Sequence, residues 1–242
     1  MPAPPRILAA GDSALVVEYG RAIDAHVNAR VRQLEACLGA AGARGILETV
    51  PTYRSLMVRY DPLVASREAL EQLLRDADSR IGVAGAAEPR TVVLPVAYGG
   101  GFGPDLADVA AHAGVEEGEV VAIHTASEYL VYMLGFMPGF PYLGGLSPRL
   151  ATPRLATPRT AVPAGSVGIA GEQTGVYPVA SPGGWRLIGR TPVRLFDPSK
   201  APPVLIEAGD QVRFVAIDPV EFDEVSRQVA AGTYTPVIRA GG

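Results

Sequence analysis

One stretch in the middle of the 242-residue chain limits the folds available to it. Residues 132–146 read YMLGFMPGFPYLGGL, so four glycines and two prolines are interleaved with large apolar side chains. Glycine permits backbone angles that other residues avoid, and proline fixes its own φ. The stretch therefore predicts a rigid, irregular loop whose aromatic rings pack against other parts of the protein. A solvated linker would not need such rings.

Composition narrows the class of protein. Apolar residues make up 48% of the chain, which supports a folded protein large enough to bury a core. The formal net charge of −4 gives no electrostatic reason to expect nucleic acid or an anionic membrane as a partner. The first residues lack the apolar core of a signal peptide, and no apolar run reaches the roughly 18–20 residues that span a bilayer. The expected location is the cytoplasm.

Two rare residue types exclude further kinds of site. The single cysteine, Cys37, excludes an internal disulfide and a cysteine cluster for zinc, and no metal site is expected. Lys200 is the only lysine and follows a serine, so the chain lacks the Gly-x-x-x-x-Gly-Lys-Ser/Thr phosphate loop. If the protein uses ATP, this chain does not hold the nucleotide with that device.

The order of predicted elements indicates two domains and the α+β class. Strands are predicted at residues 14–19, 46–50, 55–60 and 91–96. Two helices with apolar residues every three to four positions separate them, the second capped by Ser66. The order strand, helix, strand, strand, helix, strand is typical of a ferredoxin-like split βαβ unit. It is assigned to residues 1–85, with the Gly- and Ala-rich residues 81–89 as a linker, so the last strand could belong to either domain.

Residues 86–242 are predicted to form a β-barrel domain. Short strands separated by Gly and Pro are typical of a barrel or sandwich, and they are predicted at residues 129–134, 166–170, 176–180, 185–188, 193–196 and 211–216. Helices are predicted at 104–113, 116–124 and 220–231, followed by a tail. The glycine string 99–103 could cradle a phosphate at a helix start, but Asp105 and Asp108 favour a plain turn, because acidic groups already suit the helix dipole.

His124 and a group of arginines are the side chains best suited to chemistry. A histidine near neutrality can act as acid, base or hydrogen-bond donor, and a helix C-terminus raises its pKa, so catalysis and structural capping both remain open for His124. The guanidinium fork suits a carboxylate or a phosphate. If two arginines point into one mouth, that mouth binds an anion, and a solvated exterior position is the alternative. The arginines concerned are Arg159, Arg186, Arg190 and Arg194.

Several segments of the chain resemble the KipI-like family, also called subunit 1 of allophanate hydrolase and the B subunit of the bacterial 5-oxoprolinase. The resemblance is densest over residues 124–198. The matching segments are GDSAL at 11–15, YGG at 98–100, GPDL at 103–106, the 135–146 stretch, TPRT at 157–160, VPAGSVGIAG at 162–171, QTG at 173–175, SPGGW at 181–185 and IGRTP at 188–192.

The resemblance implies an N-terminal α/β domain followed by a cyclophilin-like β-barrel. It also implies one part of an ATP-dependent enzyme that opens 5-oxo-L-proline to L-glutamate, with ATP bound in the complex. The implied partners are the A subunit of 5-oxoprolinase, which is LamB/YcsF-like, and the C subunit, which is KipA-like. Allophanate or a related small amide remains an alternative substrate. A second interpretation is a regulatory protein that inhibits a sensor histidine kinase through the barrel. Prolyl isomerase activity would rest on fold analogy alone.

Within that picture the predicted catalytic residues are His124, Tyr129 and Arg159. The predicted substrate-binding residues are Gly135, Phe136, Pro138, Gly139, Phe140, Tyr142, Gly165, Ser166, Gln173, Gly183, Gly184 and Arg190. An arginine is expected to bind the substrate carboxylate, and N–H groups of the glycine loops are expected to stabilise the developing oxyanion. The aromatic stretch is predicted to form one wall of a mouth shared with the loops 162–171 and 181–185, facing substrate or the KipA-like partner.

Overall fold

The computed structural model describes residues 4–81 and 89–240. The chain divides into two compact units, Met1–Ala87 and Glu88–Gly242. Residues 82–88 of the predicted linker lie outside the described residues. In the described parts of the chain, no helix is long and apolar enough to cross a bilayer.

Within residues 4–81, the first unit is a four-stranded sheet with two helices. Its elements are β1 (Arg6–Ala9), β2 (Ala14–Glu18), α1 (Ala25–Ala41), β3 (Ile46–Pro51), β4 (Ser55–Tyr60) and α2 (Arg67–Ser79). Asp24 and Ser66 cap the two helices by accepting hydrogen bonds from first-turn N–H groups, which confirms the predicted Ser66 cap. Val17, Leu34 and Leu56 are fully buried between helices and sheet, so the unit has its own apolar core.

The predicted ferredoxin-like topology of this unit is not confirmed. The sheet is antiparallel throughout, in the order β1-β2-β4-β3. The strand predicted at 91–96 would complete a ferredoxin-like sheet, but it pairs within the second unit, and β1 takes the place beside β2. The sequence does not reveal β1, because its four residues RILA are too few and too exposed to show a two-residue period.

The second unit contains ten strands and three α-helices within residues 89–240. They are β5 (Thr91–Tyr98), α3 (Leu106–Ala113), α4 (Glu117–Ala126), β6 (Glu128–Leu134), β7 (Pro141–Gly144), β8 (Arg159–Val162), β9 (Ser166–Ala170), β10 (Gln173–Val176), β11 (Ser181–Gly183), β12 (Arg186–Arg190), β13 (Gln211–Ala216), α5 (Pro219–Ala231) and β14 (Val237–Arg239).

Seven of these strands close into a barrel. Within residues 89–240 their order is β5-β12-β9-β10-β7-β6-β13, with β13 returning to pair with β5. The pair β5–β13 is parallel and the other barrel pairs are antiparallel. Strands β8 and β11 form a separate two-stranded ribbon, and β14 pairs with the first half of β5. The predicted α+β class and barrel are confirmed, and the cyclophilin-like type of barrel stays a prediction.

Several predicted elements of this unit need correction. Strands at 166–170 and 211–216 have the predicted bounds, but the strand predicted at 176–180 lies earlier, as β10. Residues 193–196 form no strand and contribute one isolated bridge between Phe196 and Val204. The predicted tail contains β14, and the aromatic stretch contains β7. Prolines and glycines at the ends of β7 hide its short extended segment from a pattern search.

The glycine string 99–103 is a turn that lies against β12. The N–H of Gly99 donates a hydrogen bond to the carbonyl oxygen of Ile188 at 3.1 Å. A Cβ placed on Gly103 would stand only 2.0 Å from that same oxygen. Because the two backbones are in direct contact there, glycine is needed for packing, which supports the turn and not the phosphate cradle.

This contact predicts a large difference between two neighbouring glycines. Gly103→Ala should lower the free energy of unfolding by roughly 3 kcal/mol, because the new methyl group collides with backbone that cannot rotate away. Gly101→Ala is the matched control, since a Cβ there meets no atom within 4 Å, and its effect should stay below about 1 kcal/mol. Urea denaturation followed by the fluorescence of Trp185, the single tryptophan, would measure both. Equal effects would contradict the packing argument.

Candidate functional site

His124 lies inside the barrel, in the last turn of α4. Its Nδ1 is 2.8 Å from the hydroxyl of Tyr98 on β5, and its Nε2 is 3.0 Å from the hydroxyl of Thr174 on β10. The Thr174 hydroxyl donates to the carbonyl oxygen of Gly168 at 3.0 Å, so it accepts its other hydrogen bond from Nε2–H. Nδ1 then accepts from Tyr98, and the ring stacks on Phe214 of β13 at 4.6 Å. Both ring nitrogens are therefore used by hydrogen bonds within the barrel.

Burial sets the charge of this histidine. The side chain is fully buried, and desolvation lowers the pKa of His124 from 6.5 to about 3. The expected rise in pKa at the end of a helix is therefore wrong, because loss of hydration outweighs the attraction of the helix dipole. The same burial raises the pKa of Tyr98 well above its usual value. The pair is neutral at physiological pH.

Tyr129 belongs to the same buried group. Its hydroxyl donates to the carbonyl oxygen of His124 at 2.7 Å, its side chain is fully buried, and desolvation raises its pKa. The predicted catalytic roles of His124 and Tyr129 stay predictions. Their geometry supports a structural role, since the network joins α4 to β5 and β10 across the barrel interior.

Arg159, the third predicted catalytic residue, is held by an acid. Its Nη2 forms an ion pair with Asp105 Oδ1 at 2.7 Å, and the other oxygen of Asp105 accepts from the N–H of Leu187 at 2.7 Å. Asp105 is only 5% exposed, so its carboxylate is shielded from water, whereas the side chain of Arg159 is 30% exposed. The ion pair of Arg159 with Asp105 therefore connects β8 to the start of α3. The sequence does not predict Asp105 as the partner of Arg159.

Phe140 of the aromatic stretch belongs to a second apolar cluster, and Met137 and Tyr142 pack against that cluster. This outer cluster contains Phe140, Val162, Ala170, Tyr177, Trp185 and Leu187. Ala170 and Leu187 belong to it, whereas their strand neighbours Ile169 and Ile188 belong to the barrel core. Because successive side chains of a strand point to opposite faces, the outer cluster lies on the outside of the barrel wall.

Two glycines make room for the outer cluster. Gly168 on β9 and Gly175 on β10 are directly opposite each other. A Cβ on Gly168 would stand 3.1 Å from Cβ of Trp185, and one on Gly175 would stand 3.2 Å from Cζ of Phe140. Gly168, in the predicted ligand loop 162–171, and Gly175, outside it, therefore both admit aromatic rings of the same protein.

The turn between β6 and β7 leaves one ring exposed. Phe136 has φ of +65° and is 68% exposed. The N–H of Met137 donates to the carbonyl oxygen of Gly135 at 2.7 Å, which closes the turn around Phe136. A residue with a side chain in the left-handed region is strained by about 1–2 kcal/mol. Pro138, which follows in the turn, is also exposed.

The other predicted substrate-binding residues fall in different places. Tyr142 on β7 is half-buried, with its ring 5.2 Å from that of Phe140. Gln173 is half-buried and begins β10 opposite Ala170. A Cβ on Gly183 would stand 2.4 Å from the Tyr177 hydroxyl, and one on Gly184 would stand 3.5 Å from the Pro158 ring. These two glycines are therefore in close contact with the protein itself.

A cleft of about 510 Å³ opens on the barrel unit. This volume is within the range of roughly 300–1,000 Å³ that is typical of small-molecule sites. Its walls come from the turn before β9, the segments after β10 and β12, and α5. The residues that matter most are Gly165, Arg190, Arg194, Phe196, Phe222 and Ser226. Two predicted substrate-binding residues, Gly165 and Arg190, thus meet in one cleft.

Other predicted residues adjoin this cleft without lining it. Ser166 is buried and pairs with Arg190 across β9 and β12. A Cβ on Gly139 would stand 3.1 Å from Cβ of Phe196 and 3.6 Å from that of Pro178, and both of these residues line the cleft. The aromatic turn therefore supports the cleft wall from behind. The sequence does not predict Phe222 and Ser226 as cleft residues. The apolar pattern of α5 predicts an amphipathic helix but does not indicate which part of the protein the helix packs against.

In the described residues, His, Cys, Asp and Glu do not gather into a group of three or more that could hold a metal ion. The chemistry available in the cleft is that of two guanidinium groups, the hydroxyls of Thr191 and Ser226, and apolar walls. Such a set suits the binding of a small anion with an apolar body.

The buried histidine predicts acid sensitivity. His124 is neutral in the folded state, whereas its pKa in the unfolded state is near 6.5. As pH falls, the unfolded state therefore binds a proton at His124 before the folded state does. Stability is thus complete above about pH 6.5 and falls as pH drops toward 3, by about 2 kcal/mol between pH 7 and pH 5. His124→Gln should remove this part of the loss. His112→Gln, at an exposed position of α3, should retain it, and equal pH dependence in the two variants would refute the assignment.

The strained turn predicts an unusual order of stabilities. Phe136→Gly and Phe136→Ala both lose the ring, but only glycine relieves the positive φ, so the glycine variant should be more stable by about 1 kcal/mol. At Asp223, an exposed position inside α5, the order should reverse by a similar amount, because glycine is a poor helix former. Urea denaturation of the four variants gives the comparison. A glycine variant at 136 that is the less stable of its pair would disprove the strain.

Comparison with known proteins places the chain in a family. A family model described as carboxyltransferase domain, subdomain C and D, matches residues 5–206. The B subunit of the 5-oxoprolinase of Bacillus subtilis is 46% identical over 224 residues, which cover 88% of this chain and 92% of that protein.

Solved structures agree with this placement. A conserved uncharacterized protein from Pyrococcus horikoshii is 48% identical, with a TM-score of 0.54 over 90% of this chain and 100% of its own. The K. lactis urea amidolyase has a TM-score of 0.79 over 97% of this chain, which spans 16% of that longer chain, and at 22% identity it shows likeness of fold alone. The chain therefore belongs to the carboxyltransferase subdomain C and D family and, within it, to the group of proteins named as the B subunit of 5-oxoprolinase.

Proposed function

We propose that this chain is one subunit of an ATP-dependent 5-oxoprolinase, which opens the lactam ring of 5-oxo-L-proline to give L-glutamate. The observation that carries the proposal is the 46% identity with the B subunit of a 5-oxoprolinase over nearly the full length of both chains. The aligned part covers 88% of this chain and 92% of that protein, which supports the same role for both. The expected compartment is the cytoplasm. No observation on the described residues favours the kinase-inhibitor alternative.

ATP is assigned to another part of the complex. The turn 99–103 does not fit a triphosphate, because Gly103 is in contact with the backbone of β12 and Gly99 uses its N–H in a hydrogen bond to Ile188. The chain also lacks a Gly-Lys pair. The proposed role of this chain is therefore to bind and orient, while the nucleotide is held by a partner.

The proposed partners are a LamB/YcsF-like protein and a KipA-like protein, the A and C subunits of the complex. Two features of this chain support dependence on a partner. His124 and Tyr129 are buried and Arg159 is paired with Asp105, so the three candidate catalytic side chains are engaged within the barrel unit. The N–H of Gly165 donates to the carbonyl oxygen of Tyr177 at 2.7 Å, so it is not available to an oxyanion. The groups that act on the lactam carbonyl are therefore proposed to come from the two partners.

Reconstitution tests this proposal. The chain is mixed with the purified LamB/YcsF-like and KipA-like partners, 5-oxo-L-proline and ATP, and released L-glutamate is measured with time. Omission of this chain should lower the rate at least a hundredfold, because the lactam would no longer be oriented for attack. Adding the chain back should restore it. Full activity without the chain would refute the proposal.

A further inference from the structure

Arg190 differs from several other arginines of the barrel unit. Arg159, Arg186 and Arg90 form ion pairs at 2.7, 2.6 and 2.7 Å with Asp105, Asp108 and Asp210, respectively. In the described part of the chain, no carboxylate pairs with Arg190. A guanidinium that lines a cleft without a counter-ion attracts an anion from solution.

The orientation of Arg190 is fixed by its own backbone surroundings. Its Nε donates to the carbonyl oxygen of Ala164 at 2.9 Å, and its Cγ would lie 3.5 Å from a Cβ on Gly165. The arginine stem is therefore in van der Waals distance of the turn, while a Cβ at position 165 is excluded by the carbonyl oxygen of Thr191, from which it would stand 2.1 Å. With Nε held in this way, the two terminal nitrogens remain as donors, which is the fork that matches a carboxylate.

A second cation and several apolar groups complete the cleft. Arg194 also lines it, and its contact with Asp197 is a loose one at 3.5 Å with the arginine side chain 60% exposed. Phe196, Phe222 and Val193 supply apolar walls. The cleft thus combines two guanidinium groups with apolar surfaces that suit methylene groups.

The neighbouring backbone discriminates between anions. The N–H groups of Gly165, Thr191 and Val193 all donate within the protein, to Tyr177 O, Gly165 O and Thr191 Oγ1 at 2.7, 2.9 and 3.2 Å. A phosphate site is commonly built from several free backbone N–H groups. These three N–H groups are therefore not available to a phosphate, whereas a carboxylate can be bound by the guanidinium fork of Arg190 alone.

We propose that this cleft binds a small organic carboxylate with a compact apolar body, whose carboxylate accepts hydrogen bonds from the terminal nitrogens of Arg190. This inference rests on the proposed function. If that function holds, the ligand of this class is 5-oxo-L-proline, and its ring methylene groups lie against Phe196 and Phe222. Arg190 is then a binding and positioning residue, and it sets specificity for substrates that carry a carboxylate beside the lactam.

Calorimetric titration of the full chain tests this inference. The probes are 5-oxo-L-proline, 2-pyrrolidinone, which has the same ring without the carboxylate, and inorganic phosphate. Binding of 5-oxo-L-proline should be at least tenfold tighter than that of either other probe. Tighter binding of phosphate, or equal binding of 2-pyrrolidinone, would overturn the proposal.

Variants locate the binding site. Arg190→Gln should weaken binding of 5-oxo-L-proline at least tenfold, whereas Arg227→Gln should leave it unchanged, because Arg227 is 72% exposed on α5 and pairs with Glu224. Ser226→Trp keeps both arginines and fills the cleft, so it should also abolish binding, and it provides a second test if Arg190→Gln fails to fold. Unchanged binding in Ser226→Trp would place the ligand elsewhere.

The outcome is separable from that of the proposed function. In the reconstituted complex, Arg190→Gln should raise KM for 5-oxo-L-proline at least tenfold with a smaller change in kcat. A complex that turns over with unchanged KM in this variant would remove the cleft assignment and leave the proposed function intact. Conversely, the chain could bind 5-oxo-L-proline through Arg190 while no reconstituted complex turns it over. That result would keep the cleft assignment and remove the proposed function.

Discussion

The barrel unit depends on one close backbone contact, the seam where β12 pairs with β5. Gly189 is opposite Tyr98 and Arg190 is opposite Ala97 across this seam. A Cβ on Gly189 would stand 2.8 Å from the carbonyl oxygen of Ala97, so only glycine allows the two strands to approach so closely. The seam closes the sheet and also holds Arg190 at the strand end where the cleft begins. Gly189, which barrel closure requires, is therefore adjacent in sequence to Arg190, whose guanidinium lines the cleft.

The polar groups inside the barrel serve a different purpose from those in the cleft. His124 receives a hydrogen bond from Tyr98 and donates one to Thr174, so every polar atom of its ring is satisfied within the core. Burial keeps the ring neutral, which avoids an unpaired charge in an apolar interior. Such a network orients α4 against two strands that are far apart in sequence. A histidine in this setting contributes orientation more than reactivity.

The sequence predicts local features of the fold better than its topology. Ser66 as a cap and the bounds of β4, β9 and β13 follow from capping chemistry and apolar periodicity, which act within a few residues. The ferredoxin-like topology is not confirmed, because the same order of elements is compatible with β5 pairing in either unit. The pairing is decided by Val92 and Leu94, which are fully buried in the barrel core, and by the register with β13, which begins at Gln211 opposite Thr91. Such long-range packing leaves no local signal.

In the candidate site too, the sequence predicts which types of residue are present but not what each of them contacts. Gly165 and Gly168 lie in one glycine-rich segment, yet the first borders a cleft and the second accommodates Trp185. A missing side chain looks the same in sequence whether a ligand or a protein ring fills the space. Arg159 and Arg190 are equally suited to bind a carboxylate, but Asp105, 54 residues from Arg159, already occupies the first. The role of an arginine thus depends on which acids the fold brings to it, and for Arg190 the described fold brings none.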